Sequence, residues 1–173
     1  IIKSYFNRND ILINHQIESY NYYIETIIPQ IITQLFPFKI KFNNEVNKIH
    51  QIEVNIINLR IGSPISVENN GSSHTMTPNI ARIKNCSYMI PLIVDVVSSI
   101  TINEGDKKVI VGDKIINNII LGKVPIMVKS KYCVLTNKII KHKNINKECK
   151  YDIGGYFIIN GNEKVIISQE KVS

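Results

Sequence analysis

Tryptophan is absent from these 173 residues, and aromatics make up only 8% of them. The apolar fraction of 44% is therefore mostly aliphatic, with isoleucine recurring throughout. That richness in branched apolar residues excludes a disordered chain, which needs a shortage of them. Cysteine is scarce: Cys86, Cys133 and Cys149 are odd in number, widely spaced and without a CxxC pair. Such a set builds neither a disulfide framework nor a zinc site, and free thiols in a reducing compartment are the expectation. No apolar run reaches the roughly 18 residues of a membrane span, so no membrane partner is expected. Ile1-Ile2-Lys3 opens without Met or a signal-peptide layout, so the chain is expected to be a cut-out of something longer.

Catalytic signatures are missing too. Gly154-Gly155 is followed by no GxxxxGK[ST] loop, and there is no GxSxG elbow or HExxH pair. His15, His50, His74 and His142 stand alone, which suits surface or half-buried histidines better than metal ligands. Asp106 and Asp113 lack the clustering that holds a two-metal site. The residues by themselves therefore offer no nucleophile, general base or metal cage.

What is present is enough chain for about one domain, with a formal net charge of +7. A positive balance suits a polyanionic partner such as nucleic acid or an acidic protein surface. It equally suits a chain that uses Lys as its solubilising residue. The basic residues are spread out, apart from the stretches Lys129–Lys131 and Lys138–Lys150.

Ile13, Ile17, Tyr20, Ile24, Ile27, Ile31 and Leu35 recur at steps of three and four, the stripe of an amphipathic helix. Pro29 is expected to end one helix near Thr26 and to open a second. From Lys39 the period becomes two. Ile52, Val54 and Ile56 alternate with polar residues, and Ile57, Leu59 and Ile61 continue on the opposite parity, which predicts a bulge near Ile56-Ile57. Thr77-Pro78 reads as an N-cap and first helical position, opening a short helix to about Cys86. Leu92–Ile102 and Lys108–Val111 read as a hairpin around Asn103–Asp106, and Val124–Val128 as a further strand. Asn160-Gly161 between Tyr156–Ile159 and Lys164–Ile167 marks a tight two-residue hairpin turn. The fold class is α+β: N-terminal helices followed by a mixed, mostly antiparallel sheet with hairpins, over one domain segment spanning residues 1–173.

Residues Tyr151–Glu170, YDIGGYFIINGNEKVIISQE, strongly resemble the signature near the N-terminus of the second-largest (beta-like) subunit of multisubunit DNA-directed RNA polymerases. Thr75–Val96, with its Ala-Arg pair, Tyr and Pro-Leu, agrees in order with the same family, as does Gly122–Cys133, GKVPIMVKSKYC. The opening helix, with Ile17-Glu18-Ser19-Tyr20-Asn21, is similar as well. Glu163-Lys164 looks like the eukaryotic, archaeal or large-DNA-virus form, where bacterial subunits usually carry Glu-Arg. Ile153 and Lys150 stand where the family usually has Pro, which suggests a divergent member.

The resemblance implies the first part of the protrusion, an incomplete domain whose edge strands await later sequence or other subunits; the lobe and the remainder of the subunit are not in this chain. It implies DNA-templated RNA synthesis by a complex in which magnesium ions are held by the largest subunit, with no cofactor and no catalytic residue here. Within the segment Glu163–Gln169, which would face the RNA–DNA hybrid, Lys164 is the candidate phosphate contact and Gln169 a second polar contact. Lys129 and Lys131 are candidate cleft-facing basic residues, whereas Gly154 and Gly155 serve backbone geometry and Arg82 is expected to pair with an acid. Implied partners are the largest and smaller polymerase subunits, the DNA template, the hybrid and initiation factors. The implied location is the nucleus, or the cytoplasm or virion for a viral source. The contrasting expectation is a stand-alone basic nucleic-acid-binding or protein-interaction module. Salt dependence separates those two, because only phosphate contacts release counterions.

Overall fold

A computed structural model describes residues 11–43, 49–104, 107–136, 148–149, 151–167 and 169–170. The Gly105-Asp106 turn and most of the Lys-rich stretch, residues 138–147, lie outside these. The chain forms two compact units. One gathers Ile1–Ile24, Ser63–Ile90 and Lys123–Ser173; the other gathers Glu25–Gly62 and Pro91–Gly122.

The helical segment comprises α1 (Asn14–Tyr22), a π-helical turn at Tyr23–Ile27, and α2 (Ile28–Leu35). The first α-helix ends at Tyr22, short of Thr26, and Pro29 stands in the first turn of a second helix as expected, but a π-helical turn rather than a break joins them. Pro29 lacks an N–H and its ring crowds the carbonyl four residues back; the wider π turn just before it absorbs that misfit, so the backbone stays helical.

The second unit is built on an antiparallel sheet. Its strands are β1 (Phe38–Asn43) and β2 (Ile49–Ile61), joined through the ladder order β1-β2-β5-β6 by β5 (Met89–Glu104) and β6 (Lys107–Pro125). The bulge falls where the parity of the isoleucines changes: Ile56 pairs with Val96 but Asn58 with Asp95, leaving Ile57 as the extra residue. Asp95, only 8% exposed, gathers the surroundings of this irregularity. Its carboxylate accepts the Asn118 backbone N–H at 2.9 Å, the Asn58 amide at 3.3 Å and the Arg60 guanidinium at 2.6 Å. The Asn118 bond, and then Asn58 and Arg60, hold this carboxyl below the ordinary aspartate range against the opposing effect of burial. Asn118 itself takes a positive φ of 61°, a conformation that Asn tolerates better than most residues. On the outer strand β6, Ile115, Ile116, Ile120 and Leu121 are all exposed.

Besides α1, the described residues of the first unit form two short hairpins and a second helix: β3 (Ile65–Val67) with β4 (Ser73–Thr75), α3 (Pro78–Ile83), and β7 (Phe157–Ile159) with β8 (Asn162–Lys164). As expected, the Thr77 hydroxyl caps α3 by accepting the Ile80 N–H at 3.3 Å, with Pro78 in the first turn. The helix stops at Ile83 rather than Cys86, because Asn85 turns to φ 51°. Ile24, Tyr88, Ile90, Ile126, Val128 and Ile158 are buried to within 2% and form this unit's core. Each fully buried aliphatic of this kind is worth about 1.5–3 kcal/mol of transfer free energy.

Val124–Val128 is not the separate strand that its composition suggests. Val124 and Pro125 end the long strand β6, where Pro125 has no N–H for a further ladder bond. Residues 126–128 then thread the core by single bonds: Ile126 N–H to the Tyr88 carbonyl (2.9 Å) and Val128 N–H to the Tyr156 carbonyl (2.8 Å). Tyr88 N–H in turn reaches the Ile158 carbonyl at 2.9 Å. Tyr88 is thus the backbone crossing point of three segments.

Candidate nucleic-acid interface

The C-terminal hairpin is locally encoded and then held on both sides. Asn160 and Gly161 both take positive φ, 49° and 76°, as a two-residue turn between strands of right-handed twist requires. The register pairs Phe157 with Lys164 and Ile159 with Asn162. The turn sits on the residues that follow α3. Gly161 N–H donates to the Cys86 carbonyl at 3.0 Å, and Asn160 N–H donates to the Ser87 hydroxyl at 3.0 Å. A Cβ on Gly161 would lie 2.6 Å from the Asn85 side chain, so this close approach needs glycine.

On the other side lies α1. The Tyr20 hydroxyl donates to the Pro125 carbonyl at 2.8 Å, and its ring meets Phe157 edge-on, with centroids 5.7 Å apart. Burial pushes the Tyr20 phenol well above its usual range, so it remains a neutral donor. Between α1, Pro125 and the hairpin runs an open groove of about 720 Å³, and Lys164 stands on its lining with Gln16 and Ile166. The Gln16 amide reaches the Ile166 carbonyl at 3.4 Å.

Residues alternate across a strand, and Glu163 accordingly turns from the groove towards Arg82 on α3. The Arg82 guanidinium donates to Glu163 at 2.8 Å, to Glu148 at 2.9 Å and to the Tyr156 hydroxyl at 2.6 Å. Asp152 lies 3.9 Å from it and accepts a hydrogen bond from the Tyr156 hydroxyl. Burial works against the Arg82 charge, but the hydrogen bonds to Glu148 and Glu163 outweigh it and hold the guanidinium firmly protonated. Burial, with Asp152 beside it, raises the Tyr156 phenol above its usual range. Glu148 also accepts the Asn79 N–H at 2.6 Å, placing its negative charge at the start of α3. The expectation that Arg82 pairs with an acid holds, with Glu148 and Glu163 as the acids. Their identity was beyond reach from the sequence, because they lie 66 and 81 residues further along the chain.

The other candidate residues fall in different settings. Lys164 and Gln169 are both exposed. Lys131 is exposed, and its backbone N–H donates to Asn21 at 3.2 Å. Lys129 is half-buried at φ 64°, and its ammonium donates to the Asp152 carbonyl. The glycine pair before the hairpin serves geometry, as expected, with φ values of 79° at Gly154 and 81° at Gly155. Cys133 is buried, which raises its thiol pKa, and Cys149 is exposed; all three cysteines are free. Among the described residues no group of three or more His, Cys, Asp or Glu is arranged to hold a metal ion.

The docked hairpin thus carries an exposed lysine, Lys164, next to a glutamate tethered to Arg82. The sequence around it identifies the class. The chain belongs to the RNA polymerase beta subunit family, whose pattern matches residues 11–173. It is 32% identical over 180 residues to DNA-directed RNA polymerase II subunit 2 of Arabidopsis thaliana, covering 100% of this chain and 15% of the plant protein. A DNA-directed RNA polymerase subunit of Methanocaldococcus jannaschii is 32% identical over 170 residues, covering 98% of this chain and 32% of the archaeal one. A DNA-directed RNA polymerase III subunit of Dictyostelium discoideum is 30% identical over 164 residues, covering 94% of this chain and 9% of the relative. The chain thus spans about a third or less of the length of these relatives. The α+β architecture, helix first and hairpins after, agrees with membership of this family.

Proposed function

We propose that this chain works as part of the second subunit of a DNA-directed RNA polymerase, forming the first part of the protrusion and one wall of the cleft. In this reading the two compact units belong to one domain that later sequence or neighbouring subunits complete. The exposed Ile115, Ile116, Ile120 and Leu121 on the outer strand β6 support it, since an apolar edge is an association site if left open. Partners are the largest and smaller polymerase subunits, the DNA template, the RNA–DNA hybrid and initiation factors. The reaction joins nucleoside monophosphates to RNA with magnesium held by the largest subunit, and no residue here takes part in bond making. The nucleus is the location that the relatives named for polymerase II suggest.

The observation that carries this reading is the exposed Lys164, on a strand whose neighbour Glu163 is tethered away from it. An ammonium held this way meets a phosphate as a point charge and reads no sequence. Gln169, six residues beyond Glu163, adds a polar contact to the nucleic-acid backbone, and Lys131 extends the basic edge. Lys129 supports that edge through its bond to Asp152. In polymerase assembled with the whole subunit, Lys164→Ala should shorten elongation-complex lifetime and reduce the slope of log lifetime against log salt by about 0.7–0.9, one phosphate contact. Parallel lines for variant and wild type across the salt series would refute the contact.

A further inference from the structure

We infer that Arg82 is a positioning residue for Lys164: through Glu163 it sets the strand that presents the lysine to its phosphate. The inference rests on the reading of Lys164 as a phosphate contact and adds a residue on a different element.

The geometry begins with what Lys164 lacks. It is the last residue of β8, and beyond it Val165, Ile166 and Ile167 are 62%, 63% and 79% exposed, so no apolar packing seats this end of the strand. Its register partner Phe157 fixes the strand from one side only. Polar tethers do the rest. At the preceding residue, the Glu163 carboxylate accepts from Arg82 Nε at 2.8 Å; two residues on, the Ile166 carbonyl accepts from the Gln16 amide at 3.4 Å. The tether to Arg82 is the shorter, and it is anchored. The same guanidinium is held by Glu148 at 2.9 Å and by the Tyr156 hydroxyl at 2.6 Å, and lies over the Tyr156 ring at 5.8 Å from its centroid. Planar Arg offers several donors in a rigid fork, so it can fasten to Glu148 and Tyr156 and still direct Nε at Glu163; a lysine ammonium lacks that geometry.

Charge makes the inference testable, because tethering and plain electrostatics predict opposite signs. Removing the Glu163 carboxylate beside a phosphate-binding lysine removes a repulsion, so charge alone makes Glu163→Ala bind nucleic acid more tightly. Loss of the tether lets the strand end wander and makes it bind more weakly. Glu163→Gln separates the two effects, since its amide oxygen still accepts from Arg82 while the charge is gone.

The experiment measures elongation-complex lifetime against salt in assembled polymerase carrying Lys164→Ala, Glu163→Ala, Glu163→Gln, or the Glu163→Ala/Lys164→Ala pair. Each Glu163 variant leaves Arg82 bonded to Glu148 and Tyr156, so folding of the core is not at stake. The expected result is that Glu163→Ala shortens the lifetime and lowers the salt slope by most of the amount lost in Lys164→Ala. The pair should add nothing to Lys164→Ala, and Glu163→Gln should stay at or above wild type. A Glu163→Ala complex as long-lived as wild type or longer, beside a weakened Lys164→Ala, overturns the positioning role and leaves the phosphate contact standing. An unaltered Lys164→Ala overturns both.

Discussion

Gly154 and Gly155 take nearly the same positive φ and differ in what surrounds them, so replacing each with alanine compares the cost of close approach. Both have φ near +80°, 79° and 81°, and an L-residue there costs about 1–2 kcal/mol on sterics alone. At Gly155 the new Cβ would meet only side chains, Ile13 at 3.2 and 3.3 Å and the Gln16 amide oxygen at 3.6 Å, which a small shift relieves. At Gly154 it would sit 2.7 Å from the Val128 carbonyl oxygen and 2.8 Å from Lys129 Cβ. That oxygen cannot retreat freely, because it accepts the Gly155 N–H at 3.0 Å. Breaking the bond strands a buried donor, adding about 1–3 kcal/mol. The expected costs are therefore about 2–5 kcal/mol for Gly154→Ala and about 1–2 kcal/mol for Gly155→Ala. Native-state hydrogen exchange on the whole subunit is the suitable assay, since a large assembly does not unfold in one step. The Tyr88, Ile126 and Val128 amides, which donate across this core, should lose at least about fivefold more protection in Gly154→Ala than in Gly155→Ala. Equal losses, or a greater one at Gly155, would refute the steric reasoning.

Tyr88→Phe removes a fully buried hydroxyl that accepts the Val134 N–H at 3.1 Å and faces Cys133 Sγ at 3.7 Å. It should destabilise this unit by about 1–3 kcal/mol, the cost of a stranded buried N–H; an unchanged exchange rate at Val134 would show that the bond contributes nothing. Asp95 titrates below the ordinary aspartate value of 3.8, chiefly through the Asn118 N–H. Because the folded-state value is the lower one, its contribution is complete above about pH 4 and is lost as pH falls through that depressed value. Asp95→Asn should therefore flatten the acid limb of the sheet unit's stability profile, read by exchange at Asn118; the same acid limb in variant and wild type would assign the loss to other carboxylates.

Features set by neighbouring residues were legible in the sequence. Asn160-Gly161 makes its turn because both residues accept positive φ, whatever the rest of the chain does. The bulge at Ile57 follows from isoleucines changing parity, which leaves the strand no other way to keep one face apolar. Thr77 caps α3 because its hydroxyl and the orphan Ile80 N–H lie within one turn. The resemblance in Tyr151–Glu170 was legible for the same reason: a glycine pair, a hairpin and a charged turn are contiguous.

What the tertiary structure alone decided depends on residues that meet only once the chain has folded. Pro29 opens α2 as its type predicts, but the join before it is a π turn rather than a break. Val124–Val128 divided between the end of β6 and a core segment, because bonds to Tyr88 and Tyr156, from elsewhere in the chain, replaced a ladder. Lys129 reads like Lys131 in a basic stretch, yet its ammonium is directed to the Asp152 carbonyl. Arg82 met Glu148 and Glu163, and Asp95 met Arg60 and Asn118, across separations at which periodicity carries no information. Local sterics write turns, caps and parity into adjacent residues, whereas the choice of a charge partner is made by whichever groups packing brings within about 3 Å of one another.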